Sequence, residues 1–442
     1  MVRKRAHVPL NVFMNSRPVG VLRREATGAI EFRYGRDWLD WAAAFPVSIS
    51  LPLREDRYVG TPVVNVFDNL LPDSDPIRKR IAERVGANGT DAFSLLTALG
   101  QDCVGALQFL PDGADPGTAG RIDGRPVGDD EVAEIVNNLA AAPLGMGADE
   151  GFRISIAGAQ EKTALLRKDG RWFKPTGTTA TTHILKPQIG RLPNGIDLSD
   201  SVENEYLCLK LLDAFGVPTA TVEIADFAGR RTLVVERFDR LWTQDGRLLR
   251  LPQEDTCQAL SIPPTRKYQS DGGPGIREII TLLKGGDTPD ADIATVMRAS
   301  ILFWMLGATD GQAKNFSIFL GPGGRFRMTP LYDVLSAQPS LDAGRILHKT
   351  FKLAMSVGTN RHYAIHDIVP RHFIQTADLA GVGLPATRAI FEDIAANAVR
   401  QAEAALAALP NGFPDQLMTS LMTAVRHRTR LVSDALSSGS RA

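Results

Sequence analysis

The chain has 442 residues, of which 44% are hydrophobic and 23% charged, and Lys+Arg equals Asp+Glu at 50 each. This composition excludes a disordered chain, and the zero net charge excludes strong binding of nucleic acid through a global basic field. No apolar run reaches the length of a membrane span, so no membrane partner is predicted. The three cysteines, Cys103, Cys208 and Cys257, form no C-x-x-C pair, which predicts neither zinc nor disulfides and favours a reducing cytoplasm.

The N-terminal part of the chain combines strand and helix patterns. Residues 8–35 contain short alternating runs that predict half-buried strands. Residues 65–85 and 91–99 have largely helical patterns. Together they predict an α+β N-terminal unit that ends at a turn-rich segment near residue 112.

From residue 113 onward, strands and one helix precede a mostly helical remainder. Strands are predicted at 153–156, 162–167, 172–174, 183–186, 221–224 and 232–236. Helices are predicted at 129–140, 203–215, 278–283, 290–307, 386–409 and 417–436. We therefore predict an α+β fold, specifically a two-lobe protein-kinase-like fold with an extra N-terminal α/β subdomain and a mostly helical C-terminal lobe. The predicted domains are an N-terminal subdomain at 1–112, a small lobe at 113–240 and a large lobe at 241–442.

The segment GATDGQAKN at 307–315 carries the most informative pattern in the chain. It places Asp310 five positions before Asn315, after an apolar run and before a β-like run. Phosphoryl transfer needs a carboxylate to accept the proton of the attacking hydroxyl and an amide oxygen to hold Mg²⁺. Protein kinases use the same Asp-x-x-x-x-Asn spacing. This spacing also arises by chance, so its interpretation depends on the other segments.

A loop of small residues at 153–163 is a candidate phosphate-binding loop, because exposed backbone N–H groups can surround phosphates. No glycine directly precedes Lys162, so the loop is not a Walker A motif. An ordinary β-hairpin turn remains the alternative. The candidate binding residues in this loop are Ser155, Ile156, Ala157, Gly158 and Ala159.

Lys186 ends an apolar run and stands between this loop and a helix that contains Glu205. That is the place of the kinase strand lysine that contacts nucleotide phosphates. Glu205 is a possible partner for Lys186. The alternatives are that Lys186 is a surface lysine at a strand end and that Glu205 is a solvated helix acid. Next, residues 233–240 run from an apolar strand into a polar segment, as expected of a hinge at which Phe238 could pack on adenine. A plain strand end is the other interpretation.

A second acid follows the Asp310–Asn315 pair. Residues 316–332 form a predicted hairpin with a glycine-rich turn, which would return Asp333 to the side of that pair. Such an acid would complete a Mg²⁺ site of hard oxygen ligands. Alternatively, Asp333 caps a helix that starts at residue 334.

Four longer strings identify a family resemblance: FDNLLPD at 67–73, FRISIAGAQEKTALL at 152–166, RLPQED at 250–255 and KYQSDGGPG at 267–275. Over nearly its whole length the chain resembles the HipA family of bacterial serine/threonine kinases, the toxins of type II toxin–antitoxin systems. The resemblance implies that ATP and Mg²⁺ are used. Asp310 would be the catalytic base, Asn315 and Asp333 the magnesium ligands, and Lys186 a contact to the α and β phosphates.

The resemblance also implies that the backbone of Glu236 and Phe238 forms the adenine hinge. Ser155 matches the family's autophosphorylation serine. A phosphate there adds nearly two negative charges to the loop that holds ATP phosphates, so we expect it to eject the loop and silence the kinase. The chain departs from the family at Gln312, where a histidine is usual. Glutamine still donates and accepts hydrogen bonds but carries no charge, so activity is expected at an altered rate.

The resemblance implies partners as well. The substrate would be an aminoacyl-tRNA synthetase, with glutamate–tRNA ligase as the best-known family substrate. A helix-turn-helix antitoxin of the HipB type would bind the kinase and tether it to operator DNA, consistent with the neutral net charge. Two alternatives stay open. A weakly active kinase fold could serve mainly as a co-repressor, and a small-molecule kinase could share the lobe order.

Overall fold

The computed structural model describes residues 7–146, 151–191 and 197–439. Each of its two units is assembled from three separate stretches of chain. The first unit combines residues from 1–187, 225–265 and 317–326, and the second from 188–224, 266–316 and 327–442. The division into three domains with boundaries at residues 112 and 240 stays a prediction.

The helices are distributed along the whole chain and lengthen toward its C-terminal end. Among the described residues they are α1 (Arg36–Leu39), α2 (Thr61–Asp68), α3 (Asp75–Val85), α4 (Ala92–Leu99), α5 (Asp129–Asn137), α6 (Ser201–Ala214), α7 (Thr256–Ala259), α8 (Ile276–Leu283), α9 (Pro289–Leu306), α10 (Gln338–Asp342), α11 (Pro370–Leu379), α12 (Leu384–Ala407) and α13 (Asp415–Gly439). No helix in this described part is long and apolar enough to cross a membrane.

The strands are short. Over the same residues they are β1 (Leu10–Met14), β2 (Arg17–Arg24), β3 (Ile30–Tyr34), β4 (Tyr58–Val59), β5 (Leu107–Pro111), β6 (Gly124–Val127), β7 (Thr163–Lys168), β8 (Arg171–Pro175), β9 (His183–Pro187), β10 (Gly190–Arg191), β11 (Asp197–Leu198), β12 (Val222–Phe227), β13 (Arg230–Glu236), β14 (Arg240–Trp242), β15 (Leu248–Arg250), β16 (Gln253–Asp255), β17 (Ser317–Gly321), β18 (Arg325–Met328), β19 (Lys352–Val357) and β20 (His362–Ala364).

The first strands of the chain form a sheet of order β4-β3-β2-β1-β5 in the first unit. A tight turn joins β1 to β2, with φ of 47° at Asn15 and 66° at Ser16. This left-handed backbone matches the twist of a two-residue hairpin. Phe67 of α2 contacts Phe32 and Phe109 of the sheet edge to face. The strands predicted within 8–35 and the helices predicted within 65–99 are thus confirmed, apart from small shifts at their ends.

The first unit also contains most of a six-stranded sheet of order β12-β13-β9-β7-β8-β6. Strand β9 lies between β7 and β13 and pairs antiparallel with both. Helix α5 covers one face, where Val132, Leu165, Leu185 and Val234 form a buried cluster. Hydrogen bonding on both edges and packing on its face fix the backbone of β9, and therefore the position of Lys186 near its end.

The strand predicted at residues 153–156 is wrong. These residues join no sheet. Instead, the Ser155 amide donates to the Asp102 carbonyl at 2.9 Å, and Gly158 forms an isolated bridge with Pro72. The alternative of a simple hairpin turn is wrong for the same reason. Because these partners lie far back in the N-terminal part of the chain, the local pattern could not reveal them.

Long helices make up most of the core of the second unit. Helix α9 is buried almost continuously from Val296 to Leu306. Helix α12 buries Ile390, Ile394, Ala398 and Ala402, a spacing of four residues that places them on one face. The predicted helices at 290–307, 386–409 and 417–436 are confirmed by α9, α12 and α13.

Candidate active site

The end of helix α9 delivers the Asp310–Asn315 loop. Gly307 ends the helix with φ of 68°, a left-handed conformation that favours glycine. A Cβ at Gly307 would lie 2.7 Å from Cζ of Phe351. The Ala308 amide donates to the Phe303 carbonyl at 2.8 Å, which closes the last turn of the helix. A rigid buried helix therefore ends at a fixed point, and the polar loop starts from it.

The side chain of Asn315 brings the predicted acids together within the second unit. Its Nδ2 donates to the backbone carbonyls of Asp310, at 2.8 Å, and Asp333, at 3.2 Å. Asn315 is buried, whereas Asp310 is exposed at the surface of its unit. One buried amide thus connects the backbones of the predicted base and the predicted second metal ligand.

Gln312 sets the orientation of that amide. Its Nε2 donates to Asn315 Oδ1 at 2.8 Å, and its Oε1 accepts from the Lys314 amide at 2.7 Å. An amide oxygen has two lone pairs, so this bond leaves one lone pair of Asn315 Oδ1 for a metal ion. Gln312 therefore needs no charge to hold the amide of Asn315 in place.

Asp333 has φ of 60°, which is unusual for a residue with a side chain. This conformation costs about 1 kcal/mol and persists only where the surroundings enforce it. The Ala220 amide donates to the Leu331 carbonyl at 2.8 Å, and Tyr332 Oη donates to the Lys314 carbonyl at 2.7 Å. Asp333 does not cap a helix at residue 334, because the next helix, α10, begins at Gln338. That alternative interpretation is wrong.

The ligand types at this point fit magnesium. Mg²⁺ prefers hard oxygens from one or two carboxylates or amides together with phosphate and water. Asn315 would supply an amide oxygen and Asp333 a carboxylate, and a hydrogen bond joins the two residues. Two such oxygens suit an ion that takes its other ligands from nucleotide phosphates and water. No group of three or more His, Cys, Asp or Glu side chains among the described residues is arranged to hold a metal ion.

Lys186 and Glu205 are buried, in the first and the second unit respectively. Lys186 is 5% exposed and lies opposite Leu233 in the β9–β13 pair. Glu205 is 2% exposed on α6. Neither is a solvated surface residue, so those two alternatives are wrong. The pairing of Lys186 with Glu205, and its convergence with Asp310, stay predictions.

The candidate phosphate loop lies against an N-terminal segment of the first unit. Ser155 has 0% exposure, and its Oγ donates to the Leu70 carbonyl at 2.7 Å. The Asp73 amide donates to the Gly158 carbonyl at 3.1 Å. Gly158 has φ of 108°, and a Cβ there would lie 2.5 Å from Nζ of Lys162. A lysine ammonium group thus lies directly over the glycine of the loop.

The predicted hinge follows strand β13 in the first unit. Glu236, the last residue of β13, pairs with His183 of β9. Burial, with a smaller contribution from Arg167, lowers the pKa of His183 to about 4, so this neighbour is neutral. The ring of Phe238 contacts Phe319 edge to face, with centroids 5.8 Å apart. The segment therefore has a defined geometry, while its contact with adenine stays a prediction.

A buried ionic cluster next to the hinge was missed by the sequence analysis. Its members are almost fully buried in the first unit: Asp102, Arg237, Asp239, Arg240 and Arg250. Burial by itself would raise the pKa of Asp102. The three guanidinium groups together lower it by more, so the pKa of Asp102 lies well below its usual range. The backbone carbonyl of Asp102 also accepts the amide hydrogen of Ser155. The cluster thereby connects the hinge with the phosphate loop, and no local motif could have revealed residues so far apart.

Residues 154–404 match the HipA-like C-terminal domain, and residues 10–110 match the HipA N-terminal domain. The first match alone covers more than half of the chain. The chain belongs to the HipA family. A putative kinase, Y4mE, from Sinorhizobium fredii (strain NBRC 101917 / NGR234) is 38% identical over 385 residues, which are 86% of this chain and 87% of that protein.

Other relatives agree. The serine/threonine-protein kinase toxin HipA of Shewanella oneidensis is 27% identical over 389 residues, covering 85% of this chain and 84% of that one. The solved complex of HipA, HipB and operator DNA from Shewanella oneidensis MR-1 contains a chain that aligns with a TM-score of 0.80 at 24% identity, over 97% of this chain and 99% of that chain. This HipA-family chain is a kinase, and its predicted α+β, kinase-like fold is confirmed.

Proposed function

We propose that the protein is an ATP-dependent serine/threonine-protein kinase whose base is Asp310. The observation that carries the proposal is the side chain of Asn315, which donates to the backbone of both Asp310 and Asp333. Asn315 and Asp333 would hold Mg²⁺, which when bound neutralises charge on the nucleotide phosphates. Asn315 is buried, Asp333 is half-buried and the base Asp310 is exposed, which suits a surface at which a protein hydroxyl arrives.

Residues of the first unit would hold the nucleotide. Lys186 would contact the α and β phosphates as a buried cation. The backbone amides of residues 156–159 would surround the phosphates, aided by the positive φ of Gly158. The backbone of Glu236 and Phe238 would bind the adenine edge. The buried Asp102 cluster supports this assignment, because it holds Arg237 and Asp239 next to the hinge and accepts the Ser155 amide hydrogen of the phosphate loop.

In the proposed reaction, Asp310 accepts the proton of the attacking serine or threonine hydroxyl. The hydroxyl oxygen forms a bond to the γ-phosphorus, and the bond from that phosphorus to the β–γ bridging oxygen breaks. ADP leaves with that oxygen and its electron pair. The protein contributes mainly positioning and electrostatic stabilisation, as in other phosphoryl transfers.

Ser155 is proposed as an autophosphorylation site. Its hydroxyl is 0% exposed and bonded to the Leu70 carbonyl, so it must leave this position to receive a phosphate. A phosphate carries nearly two negative charges and three acceptor oxygens, so it cannot donate to the Leu70 carbonyl as the hydroxyl does and is repelled by that oxygen. The modified loop would therefore stay away from Leu70, and ATP binding would be lost.

The proposed partners follow from the relatives. The complex of HipA, HipB and operator DNA supports a HipB-type antitoxin and operator DNA as partners of this chain. By the family resemblance, that antitoxin would be a helix-turn-helix protein that carries most of the DNA contact. A net charge of zero agrees with that division. The proposed substrate is an aminoacyl-tRNA synthetase of the glutamate–tRNA ligase type. The three cysteines are buried and none forms a disulfide, which agrees with the cytoplasm as the proposed compartment.

A second candidate function is that of a weakly active kinase fold that acts mainly as a co-repressor. Gln312, in the place of a histidine, is the feature that favours it. The hydrogen bond from Gln312 to Asn315 argues against it, because the amide is held without a charged group. We therefore place catalysis first.

The test is phosphate transfer by the full chain. The unaltered protein, Asp310→Asn and the control Asp378→Asn, which changes an exposed acid on α11, are incubated with radiolabelled ATP and Mg²⁺. Phosphate on Ser155 is then measured by mass spectrometry. We expect the mark in the unaltered protein and the control, and its loss in Asp310→Asn. Equal phosphorylation of all three proteins would refute the role of Asp310.

A further inference from the structure

A tyrosine hydroxyl contacts the proposed base. Tyr268 Oη donates to Asp310 Oδ1 at 2.5 Å within the second unit. Tyr268 itself is half-buried. It lies in the KYQSDGGPG segment at 267–275, which has no role in the proposed reaction. A phenol keeps its proton across the physiological range, so this group donates while a carboxylate accepts.

The residues on both sides of Tyr268 are anchored. The Ala313 amide of the catalytic loop donates to the Lys267 carbonyl at 3.3 Å. On the other side, Gln269 Oε1 accepts from the amide of Ser356, at 2.7 Å, and from its hydroxyl, at 2.9 Å. The tyrosine is thus held between the catalytic loop and strand β19. Its contact with Asp310 is a built feature of the loop and not the chance position of a mobile side chain.

The glycines of the same segment enforce a tight turn. Gly272 has φ of 85°, and a Cβ at Gly273 would lie 2.0 Å from the Arg266 carbonyl oxygen. The Gly273 amide donates to the Tyr268 carbonyl at 3.0 Å. A Cβ at Gly275 would lie 2.2 Å from Nε2 of Gln269. The glycines therefore allow the turn to pack closely against the backbone that carries Tyr268.

We propose that Tyr268 is a positioning residue that holds the Asp310 carboxylate in one orientation during phosphate transfer. This inference rests on the proposed kinase function. A short hydrogen bond donated to a carboxylate is directional, so it restricts the rotation of that group. A general base must lie within hydrogen-bond reach of the proton that it accepts, so a fixed carboxylate favours the transfer.

Other charged residues lie on the segments that carry or contact Asp310. In the described part of the second unit these are Arg266, Lys267, Asp271, Lys314 and Asp333. The substitution Tyr268→Phe keeps all of them and removes one oxygen. A change in the rate of phosphate transfer by this variant therefore reports on the hydroxyl.

The experiment compares the unaltered full chain with Tyr268→Phe and Tyr363→Phe. Tyr363 Oη lies 3.5 Å from Gln269 Oε1, so the second variant removes a hydroxyl next to the same loop but away from the base. The rate of phosphate transfer from radiolabelled ATP at saturating ATP, and the KM for ATP, are measured for each protein. ATP affinity and melting temperature are measured alongside.

We expect Tyr268→Phe to bind ATP normally and to transfer phosphate about 10-fold more slowly at saturating ATP, while Tyr363→Phe follows the unaltered protein. An unchanged rate at saturating ATP, a loss of ATP affinity in Tyr268→Phe, or phosphate on Tyr268 itself would overturn the inference. Absence of transfer by the unaltered protein would overturn the proposed kinase reaction together with it.

Discussion

Glu254 is a carboxylic acid with 0% exposure on strand β16 of the first unit, where it contacts the loop that contains Ile49. Its Oε1 accepts from the Ile49 amide at 2.8 Å. Burial raises the pKa of Glu254 from 4.5 to about 8, although the bonds from Ile49 and Ser48 lower it in part. The folded protein therefore keeps a proton on this group at neutral pH, where the unfolded chain has released it.

The sign of the resulting pH dependence follows from proton uptake. Between pH 4.5 and pH 8 the folded state binds more protons at Glu254 than the unfolded state. Stability must then fall as the pH rises through this window, by about 1.4 kcal/mol per pH unit for one proton. Between pH 5 and pH 7 the loss amounts to about 3 kcal/mol. Glu254→Gln keeps the acceptor for the Ile49 amide and removes the titration.

The free energy of unfolding is measured by urea denaturation at several pH values for the unaltered chain, Glu254→Gln and the control Glu134→Gln. Glu134 is an exposed acid on α5 in the same unit. We expect the advantage of Glu254→Gln over the unaltered chain to grow by about 3 kcal/mol from pH 5 to pH 7. A difference that stays constant with pH, or that equals the control, would refute the buried protonated acid.

Three further predictions concern the two units. Asp102→Asn removes one of two buried carboxylates that face three guanidinium groups, so the free energy of unfolding should fall by about 3–5 kcal/mol. A loss as small as that of the exposed Asp245→Asn would speak against the cluster. Calorimetry should find ATP binding by the Ser155-phosphorylated chain at least about 10-fold weaker than by the unmodified chain, and equal affinity would contradict loop ejection. Gln312→His should retain phosphate transfer at a changed rate, since both side chains can donate to Asn315. If the native chain transferred no phosphate and Gln312→His restored the transfer, this prediction would be contradicted.

The sequence predicted what depends on local pattern. The buried face of α12 recurs every four residues, and Gly307 marks the end of α9, so both helices could be located closely. The pairing of Asp310 with Asn315 follows from spacing on one loop. Their closeness to Asp333 could be predicted because a single hairpin separates them along the chain.

Features set by distant partners could not be predicted. The segment at 153–156 is bonded through Ser155 to Asp102 and Leu70, which lie far earlier in the chain, so its local pattern suggested a strand that is not present there. The buried cluster joins Asp102 to Arg250 across 148 positions. The contact of Tyr268 with Asp310 spans 42 positions, and the string that contains it indicated family membership but no role.

A crystal structure of the full chain with a non-hydrolysable ATP analogue and Mg²⁺ would test the proposed nucleotide site most directly. We expect Lys186 against the α and β phosphates, Asn315 and Asp333 bound to the metal ion, and Asp310 beside the γ-phosphate. A nucleotide bound elsewhere, or a metal ion that neither Asn315 nor Asp333 contacts, would contradict the proposed kinase site.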